Sequence, residues 1–190
     1  MTCTIYSLEE LLSIKGGKRL PTGGVLTKHR TNHPYIRIRD LGPKNLELSE
    51  SFEFVPEDIQ KKIAQYVVAE NDIVISIVGT IGLISMIGPS LNNANLTENC
   101  AKLTNLDPRI DSQYLYYFLK STNGQDQISQ LTVGAVQPKL PLKNIGKIEI
   151  PCPPLEKQRQ ISFVLSSLDR KIELNNQIND YLAQFNFSRQ

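Results

Sequence analysis

The sequence has 190 residues, of which 40% are apolar and 21% are charged, so we expect a packed globular protein and exclude a disordered chain. No run of about 18 apolar residues occurs, which excludes a transmembrane helix, and acidic residues near the start, where a signal peptide would be basic and then apolar, predict a cytoplasmic protein. The net charge of +2 conceals a strong asymmetry. Residues 11–44 contain eight basic residues and one acid (+7), whereas residues 45–75 contain two basic residues and seven acids (−5). This separation favours one electropositive face that meets a polyanion, with an ordinary solvated surface as the alternative.

The cysteine and histidine residues do not indicate a metal site. Cys3, Cys100 and Cys152 are far apart in the sequence and odd in number, which is typical of reduced thiols in a reducing compartment. A zinc site would require them to converge with His29 and His33, and the spacing contains no chelating pair. We therefore expect neither a metal nor a cofactor.

The first third of the chain is predicted to contain a short helix, a strand and a second helix. Ser7 and Glu10 have the spacing of a capping box at the start of a helix that ends at Gly16. Residues 35–39 (YIRIR) alternate apolar and basic side chains, which predicts a half-buried strand with both arginines on one face. That face is exposed either to solvent or to a ligand. Residues 56–66 favour a short surface helix.

The middle of the chain favours a β-hairpin. Residues 72–78 and 83–87 are rich in β-branched side chains, and Gly79–Gly82 joins them as a turn. The turn is not a phosphate-binding loop, because it contains two glycines, lacks the lysine motif and precedes no helix. Further along, the pattern predicts a helix over 111–120 with packing tyrosines, an irregular loop over 133–138 and a last strand over 147–150.

The composition changes at residues 151–154 (PCPP), where three prolines end the sheet and allow a helix to begin. Residues 155–185 contain neither glycine nor proline, so we predict a helix about 45 Å long. One stripe of this helix, called the heptad stripe, has steps of four and three residues: Ile161, Leu165, Leu168, Ile172, Asn175, Asn179 and Leu182. Such a stripe requires a partner helix, and its two asparagines would specify register. The alternative is a helix that folds back on its own domain.

The sequence shows no catalytic constellation. Both histidines lie in the basic segment without a nucleophile motif around them, and no pair of carboxylates is distinguished by its spacing. This pattern favours a binding module over an enzyme.

The C-terminal third resembles a known family. Residues 147–161 (KIEIPCPPLEKQRQI) and 165–178 (LSSLDRKIELNNQI) are similar to the specificity subunits of Type I restriction-modification enzymes. In these subunits a strand ends in P-x-P-P-L-x-x-Q-x-x-I, and a long helix carrying L-D-x-K-I-x-x-N follows. Weaker similarities occur in the same order along the chain, at LEEL (8–11), YIR (35–37), GTIG (79–82), NCA (99–101) and QP (137–138).

The resemblance implies an α+β fold with a mixed, twisted β-sheet and a long projecting C-terminal α-helix of coiled-coil type. It also implies a DNA target recognition domain over 1–150 and a helical spacer or dimerisation region over 151–190. Members of the family usually have two recognition domains, each reading one half of an interrupted DNA sequence, and two helices, which set the spacing and dock two methyltransferase subunits. A motor/nuclease subunit then joins in some complexes. This chain has one recognition domain and one helix. A natural half-length subunit, a truncated gene and a fragment are all open as origins, and a half-length subunit is expected to pair as a homodimer through its helix.

The expected partner is double-stranded DNA, bound by basic side chains on phosphates and by side-chain donors on base edges. We expect the following residues on the DNA surface: Lys28, His29, Arg30, Arg37, Arg39, Thr80, Gln137, Lys139 and Lys143. For each of them an exposed, solvated side chain is the alternative.

Two other classes of protein remain. One is the recognition region of a fused restriction-methylation enzyme, although residues 151–154 lack the asparagine and aromatic residue of a methyltransferase tetrad. The other is a coiled-coil scaffold without a nucleic-acid role, which leaves the arginines of residues 35–39 unexplained.

Overall fold

The computed structural model describes residues 3–187, and the side chains of residues 3–182. The strands are β1 (Thr4–Ser7), β2 (Ser13–Gly16), β3 (Pro34–Ile36), β4 (Asn45–Leu46), β5 (Glu53–Phe54), β6 (Ile73–Ser76), β7 (Ile84–Ile87), β8 (Asn95–Leu96), β9 (Cys100–Thr104) and β10 (Glu149–Cys152). The helices are α1 (Glu57–Ile63), α2 (Ser112–Lys120), α3 (Thr122–Leu131), α4 (Leu142–Ile145) and α5 (Leu155–Phe187). We call residues 3–152, which contain every strand, the body.

A five-stranded mixed sheet forms the centre of the body, in the order β2-β9-β6-β7-β4. Only the β4–β7 pair is parallel within this sheet. Alternate residues of β6 enter two different apolar clusters, because successive side chains of a strand point to opposite faces. Ile73 and Ile75 pack in a cluster that includes Leu115 and Leu119 of α2, whereas Val74 packs with Leu96 in a second cluster. Both faces of the sheet are therefore covered.

The predicted N-terminal helix is wrong except for its first turn. Residues 8–10 form a single 3₁₀ turn with the capping box of Ser7 and Glu10. The flanking residues are strands, because β1 pairs antiparallel with β10 and β2 pairs antiparallel with β9. These distant pairings override the local helical pattern.

The predicted strand over residues 35–39 is correct only at its start. β3 ends at Ile36, and residues 38–40 form a 3₁₀ turn. The Asp40 carboxylate accepts a hydrogen bond from the Arg37 backbone N–H at 2.8 Å, which favours the turn over a continued strand. Arg37 and Arg39 therefore do not share a strand face.

The hairpin is confirmed, since β6 and β7 pair antiparallel around Gly79–Gly82. The predicted helices over 56–66 and 111–120 correspond to α1 and α2. Sequence reasoning missed α3 and α4. The overall class, α+β with mixed sheets and a long C-terminal helix, is confirmed.

Candidate nucleic-acid interface

Three of the predicted basic residues line one cleft on the body. Lys28, Arg30 and Arg39 border a cleft of about 800 Å³, whose other walls include Glu50 and Glu53. All three basic residues are exposed, and among the described residues neither Lys28 nor Arg30 forms an ion pair. The cleft therefore offers two free cations beside a third cation that is engaged with acids.

Arg37 and Arg39 converge on one carboxylate. Both guanidinium groups pair with Glu53, and the Arg39 Nη2 lies 3.1 Å from Glu53 Oε2. Arg37 is half-buried, and its Nε and Nη2 atoms are buried without an acceptor in the described part of the chain. Asp40, which caps this turn, is itself buried, and burial raises the pKa of its carboxyl group. Sequence reasoning placed Glu53 only within an acidic segment, since its pairing with two distant arginines has no local signal.

The hairpin turn lies against this arginine turn. Gly79 has φ +73°, and a Cβ at this position would lie 3.6 Å from Cδ1 of Ile38, the residue between the two arginines. Buried Ser76 holds the hairpin turn from inside, because its Oγ donates to the Thr80 carbonyl oxygen and accepts from the Leu83 backbone N–H. The Thr80 side chain is exposed on this turn.

The loop over residues 133–139 lies next to the same hairpin. Val133 and Lys139 close the loop with two backbone hydrogen bonds of 2.8 Å. Lys139 also forms a β-bridge with Val78. Gln137 and Lys139 are exposed, and Val136 at the tip is fully exposed. The irregular loop predicted over 133–138 is thus an outward-facing loop closed at its base.

The remaining candidates are less well connected. His29 is exposed, and its backbone N–H donates to Thr27 Oγ1. Lys143 is exposed on α4, which packs on β2 rather than on the hairpin. Within the described residues, no ion pair joins Lys143 to another candidate. His33 Nε2 lies 3.1 Å from Glu57 Oε1. Within residues 3–187, no three or more histidine, cysteine, aspartate or glutamate side chains are grouped so that they could hold a metal ion.

Intramolecular ion pairs reduce the free charge of the basic segment. Arg19 Nε lies 2.6 Å from Glu98 Oε1, and Lys44 Nζ lies 3.9 Å from Asp169 Oδ2. Together with the two arginines on Glu53, half of the eight basic residues of segment 11–44 have an acidic partner. The free charge is therefore smaller than the sequence count indicates.

The heptad stripe of α5 has two parts. Ile161 packs on the core of the body and Leu165 is half-buried, because the start of α5 lies against α2. The later members are exposed: Leu168, Ile172, Asn175, Asn179 and Leu182, with Ile172 at 59%. The helix packs on its own body at the base and projects beyond it.

Sequence reasoning missed a second exposed apolar stripe on α5. Phe163, Leu174 and Tyr181 are exposed, and at 100° per residue they lie on the side of the helix opposite to the heptad stripe. The projecting helix therefore presents apolar side chains on two faces.

Fold and site together define a β-rich body with a cationic loop surface and a helix that extends beyond it. The family model described as Type I restriction modification DNA specificity domain matches residues 2–184. The chain belongs to this family.

Two relatives are specificity subunits by name. The MjaVIII specificity subunit of Methanocaldococcus jannaschii is 31% identical over 129 residues, which cover 66% of this chain and 30% of the relative. The EcoBI specificity subunit of Escherichia coli is 27% identical over 153 residues, covering 80% of this chain and 32% of the relative. The chain thus spans about a third of the length of these relatives.

Solved structures of such subunits share the fold. The S subunit of the M. genitalium Type-I restriction-modification system aligns with 91% of this chain and 40% of its own, with a TM-score of 0.64 and 20% identity. The HsdS subunit from Thermoanaerobacter tengcongensis aligns with 90% of this chain and 38% of its own, with a TM-score of 0.65 and 18% identity. Among residues 3–187, no helix is both long and apolar enough to span a membrane.

Proposed function

We propose that this chain binds one half of a bipartite DNA target and positions a partner adenine methyltransferase there. Residues 1–150 would act as the target recognition domain, and residues 151–190 as the spacer and pairing region. Because recognition and chemistry would be separate, the chain contributes binding energy and geometry while the partner transfers the methyl group. The function requires chromosomal DNA and the methyltransferase in one compartment, so the proposed location is the cytoplasm.

One observation carries the proposal: three loops from distant parts of the sequence form a continuous surface. The loop over 133–139 contacts the hairpin turn through Val78, and the turn approaches Ile38 between the arginines. Arg39 then borders the cleft that contains Lys28 and Arg30. Exposed loops on a rigid sheet are where binding residues are usually found. Lysines and arginines there would neutralise phosphates, and side chains such as Gln137 would reach base edges.

We further propose that α5 pairs with α5 of a second copy. Its projecting half exposes Leu168, Ile172 and Leu182, and burial of each large apolar side chain stabilises an interface by about 1.5–3 kcal/mol. A two-fold pair would read two half-sites as an inverted repeat. Methyltransferase subunits, and in the restriction complex a motor/nuclease subunit, would join this pair.

The test is an electrophoretic titration of the chain with its cognate methyltransferase against pools of random duplexes. We expect selection of one bipartite sequence, with an affinity that falls steeply with salt because bound counterions are released. Absence of sequence preference in every pool would contradict the proposal.

A double variant tests which surface meets DNA. Lys28→Ala with Arg30→Ala removes two cleft charges, so the slope of log affinity against log salt should fall by about 1.8, since each phosphate contact contributes about 0.9. Lys157→Ala with Arg170→Ala is the matched control, because it removes two exposed charges from α5. An equal effect of both double variants would mean that net charge, and not the cleft, determines binding.

A further inference from the structure

A polar network contacts α5 beyond the base of the helix. Lys44 Nζ donates to the Tyr117 hydroxyl oxygen at 2.7 Å, and the Tyr117 hydroxyl donates to Asp169 Oδ2 at 2.6 Å. Lys44 Nζ also lies 4.5 Å from the centre of the Tyr117 ring. The network joins the segment before β4, helix α2 and helix α5.

A separate contact fixes the base of α5. Gln158 is fully buried. Its Oε1 accepts from the Asp111 backbone N–H, and its Nε2 donates to the carbonyl oxygens of Arg109 and Pro153. Ser162, one turn further on, is also buried, and its Oγ donates to Asp111 Oδ1 at 3.2 Å. Ile161 packs on the core beside it. These contacts hold the first two turns of α5, and Asp169 is attached about two turns beyond them.

The two contacts together define a line. Gln158 and Asp169 are eleven residues apart, about 16 Å along the helix axis. From Gln158 to the helix end at Phe187 the distance is about 43 Å. A sideways shift of about 1 Å at Asp169 therefore moves the end of the helix by about 3 Å. Small changes in the network are amplified along the projecting half.

The environment of the network favours its hydrogen-bonded form. Burial lowers the pKa of the Lys44 ammonium, opposed by the nearby Asp169 carboxylate. Burial, followed by the hydrogen bond to Asp169, raises the pKa of Tyr117, so the hydroxyl keeps the proton that it donates. The Lys44 side chain is only 18% exposed, and its contact with water is correspondingly limited.

We propose that Lys44, Tyr117 and Asp169 are positioning residues that set the angle between the body and α5. The consequence for DNA rests on the function proposed above. In a paired assembly, this angle determines the separation between the two half-sites that the assembly accepts. B-form DNA rises about 3.4 Å per base pair along its helix axis. A movement of about 3 Å at the helix end therefore corresponds to about one base pair of spacing.

The first test measures the angle without DNA, on the full chain. Spin labels are attached to cysteines introduced by Lys61→Cys on α1 and Asn176→Cys on α5, both at exposed positions. The exposed native thiol is removed by Cys3→Ser. Cys100 and Cys152 are buried and are left in place. Pulsed electron–electron resonance then gives the distance between the labels, with excess unlabelled protein to suppress distances between copies. We expect one narrow distribution of label-to-label distances when Lys44, Tyr117 and Asp169 are all unchanged.

Tyr117→Phe removes the hydroxyl that links the other two residues and keeps the packed ring. We expect its distance distribution to broaden, or to shift by about 2 Å for each 1 Å of movement at Asp169, because Asn176 lies about 27 Å along the helix from Gln158, while thermal unfolding remains cooperative. Tyr181→Phe is the control, because it removes a hydroxyl from an exposed position of the same helix. Lys44→Met provides a second disruption that keeps an apolar stem beneath the rings. Unchanged distributions in both Tyr117→Phe and Lys44→Met would overturn the proposal.

The second test measures half-site spacing. After the target has been mapped, duplexes with the gap lengthened or shortened one base pair at a time are titrated with the chain and its methyltransferase. We expect the Tyr117→Phe variant to bind targets whose gap is one base pair longer or shorter with an affinity within about threefold of its affinity for the original target. The Tyr181→Phe control should not tolerate these altered gaps. If the angle changes but spacing selectivity does not, the link to DNA spacing is wrong. If the unmodified chain binds no DNA, the proposed function fails, and the distance measurement still decides the role of the network in the angle.

Discussion

The buried Gln158 side chain offers a quantitative test of how α5 is attached to the body. Replacement by leucine keeps a similar volume and removes three hydrogen bonds, each between 2.8 and 2.9 Å long. Each such bond contributes about 0.5–1.5 kcal/mol net, and its loss leaves a backbone group without a partner, so we expect a destabilisation of about 2–4 kcal/mol. For a protein of this size this corresponds to a fall in Tm of about 4–16 °C.

The assay is thermal and urea unfolding followed by circular dichroism. Gln160→Leu is the matched control, because residue 160 is exposed on the same turn of the helix, and we expect a change within about 0.5 kcal/mol. If Gln158→Leu unfolds like the wild type, or if both variants lose the same stability, the attachment described here is incorrect.

Four further predictions address the interface, the helix, the thiols and the central sheet. Glu53→Gln releases two arginines from their shared carboxylate, so affinity for random DNA should rise and its salt slope should steepen by about 1–2; an unchanged slope would refute the role of this carboxylate. Ile172→Asp places a charge in the exposed heptad stripe and should abolish self-association in light scattering without lowering Tm; a dimer that persists would contradict pairing through this stripe. The exposed thiol of Cys3 should react with a thiol reagent at pH 8, whereas Cys100, whose pKa burial raises to about 12, should react only after unfolding; peptide mapping that finds rapid Cys100 labelling would disprove this. Gly17→Ala should destabilise the protein by about 1–3 kcal/mol in urea unfolding, because its Cβ would lie 2.1 Å from a backbone carbonyl oxygen; wild-type stability would show that this close approach is wrong.

Local patterns predicted the elements whose causes are local. The hairpin around Gly79–Gly82 follows from two β-branched runs and a glycine-bounded turn, and its partner strands are adjacent in sequence. The long helix follows from the prolines before it and the absence of helix-breaking residues within it. These features require no information from distant residues.

The errors arise where a distant strand pairing, a single cap or a close helix contact overrides the local pattern. The predicted helix ends at Gly16, but Ser13–Gly16 form β2, which pairs with β9, more than 80 residues away. Residues 35–39 alternate like a strand, yet the Asp40 cap turns the backbone after Ile36. Helix α3 was missed because its core-facing positions are sparse and it contains Gly124. A Cβ there would lie 2.3 Å from the Phe118 carbonyl oxygen, so the close contact with α2 requires glycine.

The candidate site was predictable in composition but not in arrangement. The sequence indicated a basic segment, and most of the nominated side chains are exposed. It gave no signal that Glu53 neutralises two of the arginines or that Lys44 lies within the body–helix contact. Both facts depend on contacts between residues at least 14 positions apart in the sequence.

Methylation mapping tests the central claim most directly. The chain and its cognate methyltransferase are expressed together in a host without other adenine methylation, and modified adenines are located across the genome. We predict methylation at every copy of one bipartite sequence, and none when the chain is omitted. Methylation that is scattered without a common sequence, or that is the same in the absence of the chain, would contradict the claim that this protein directs the enzyme to its site.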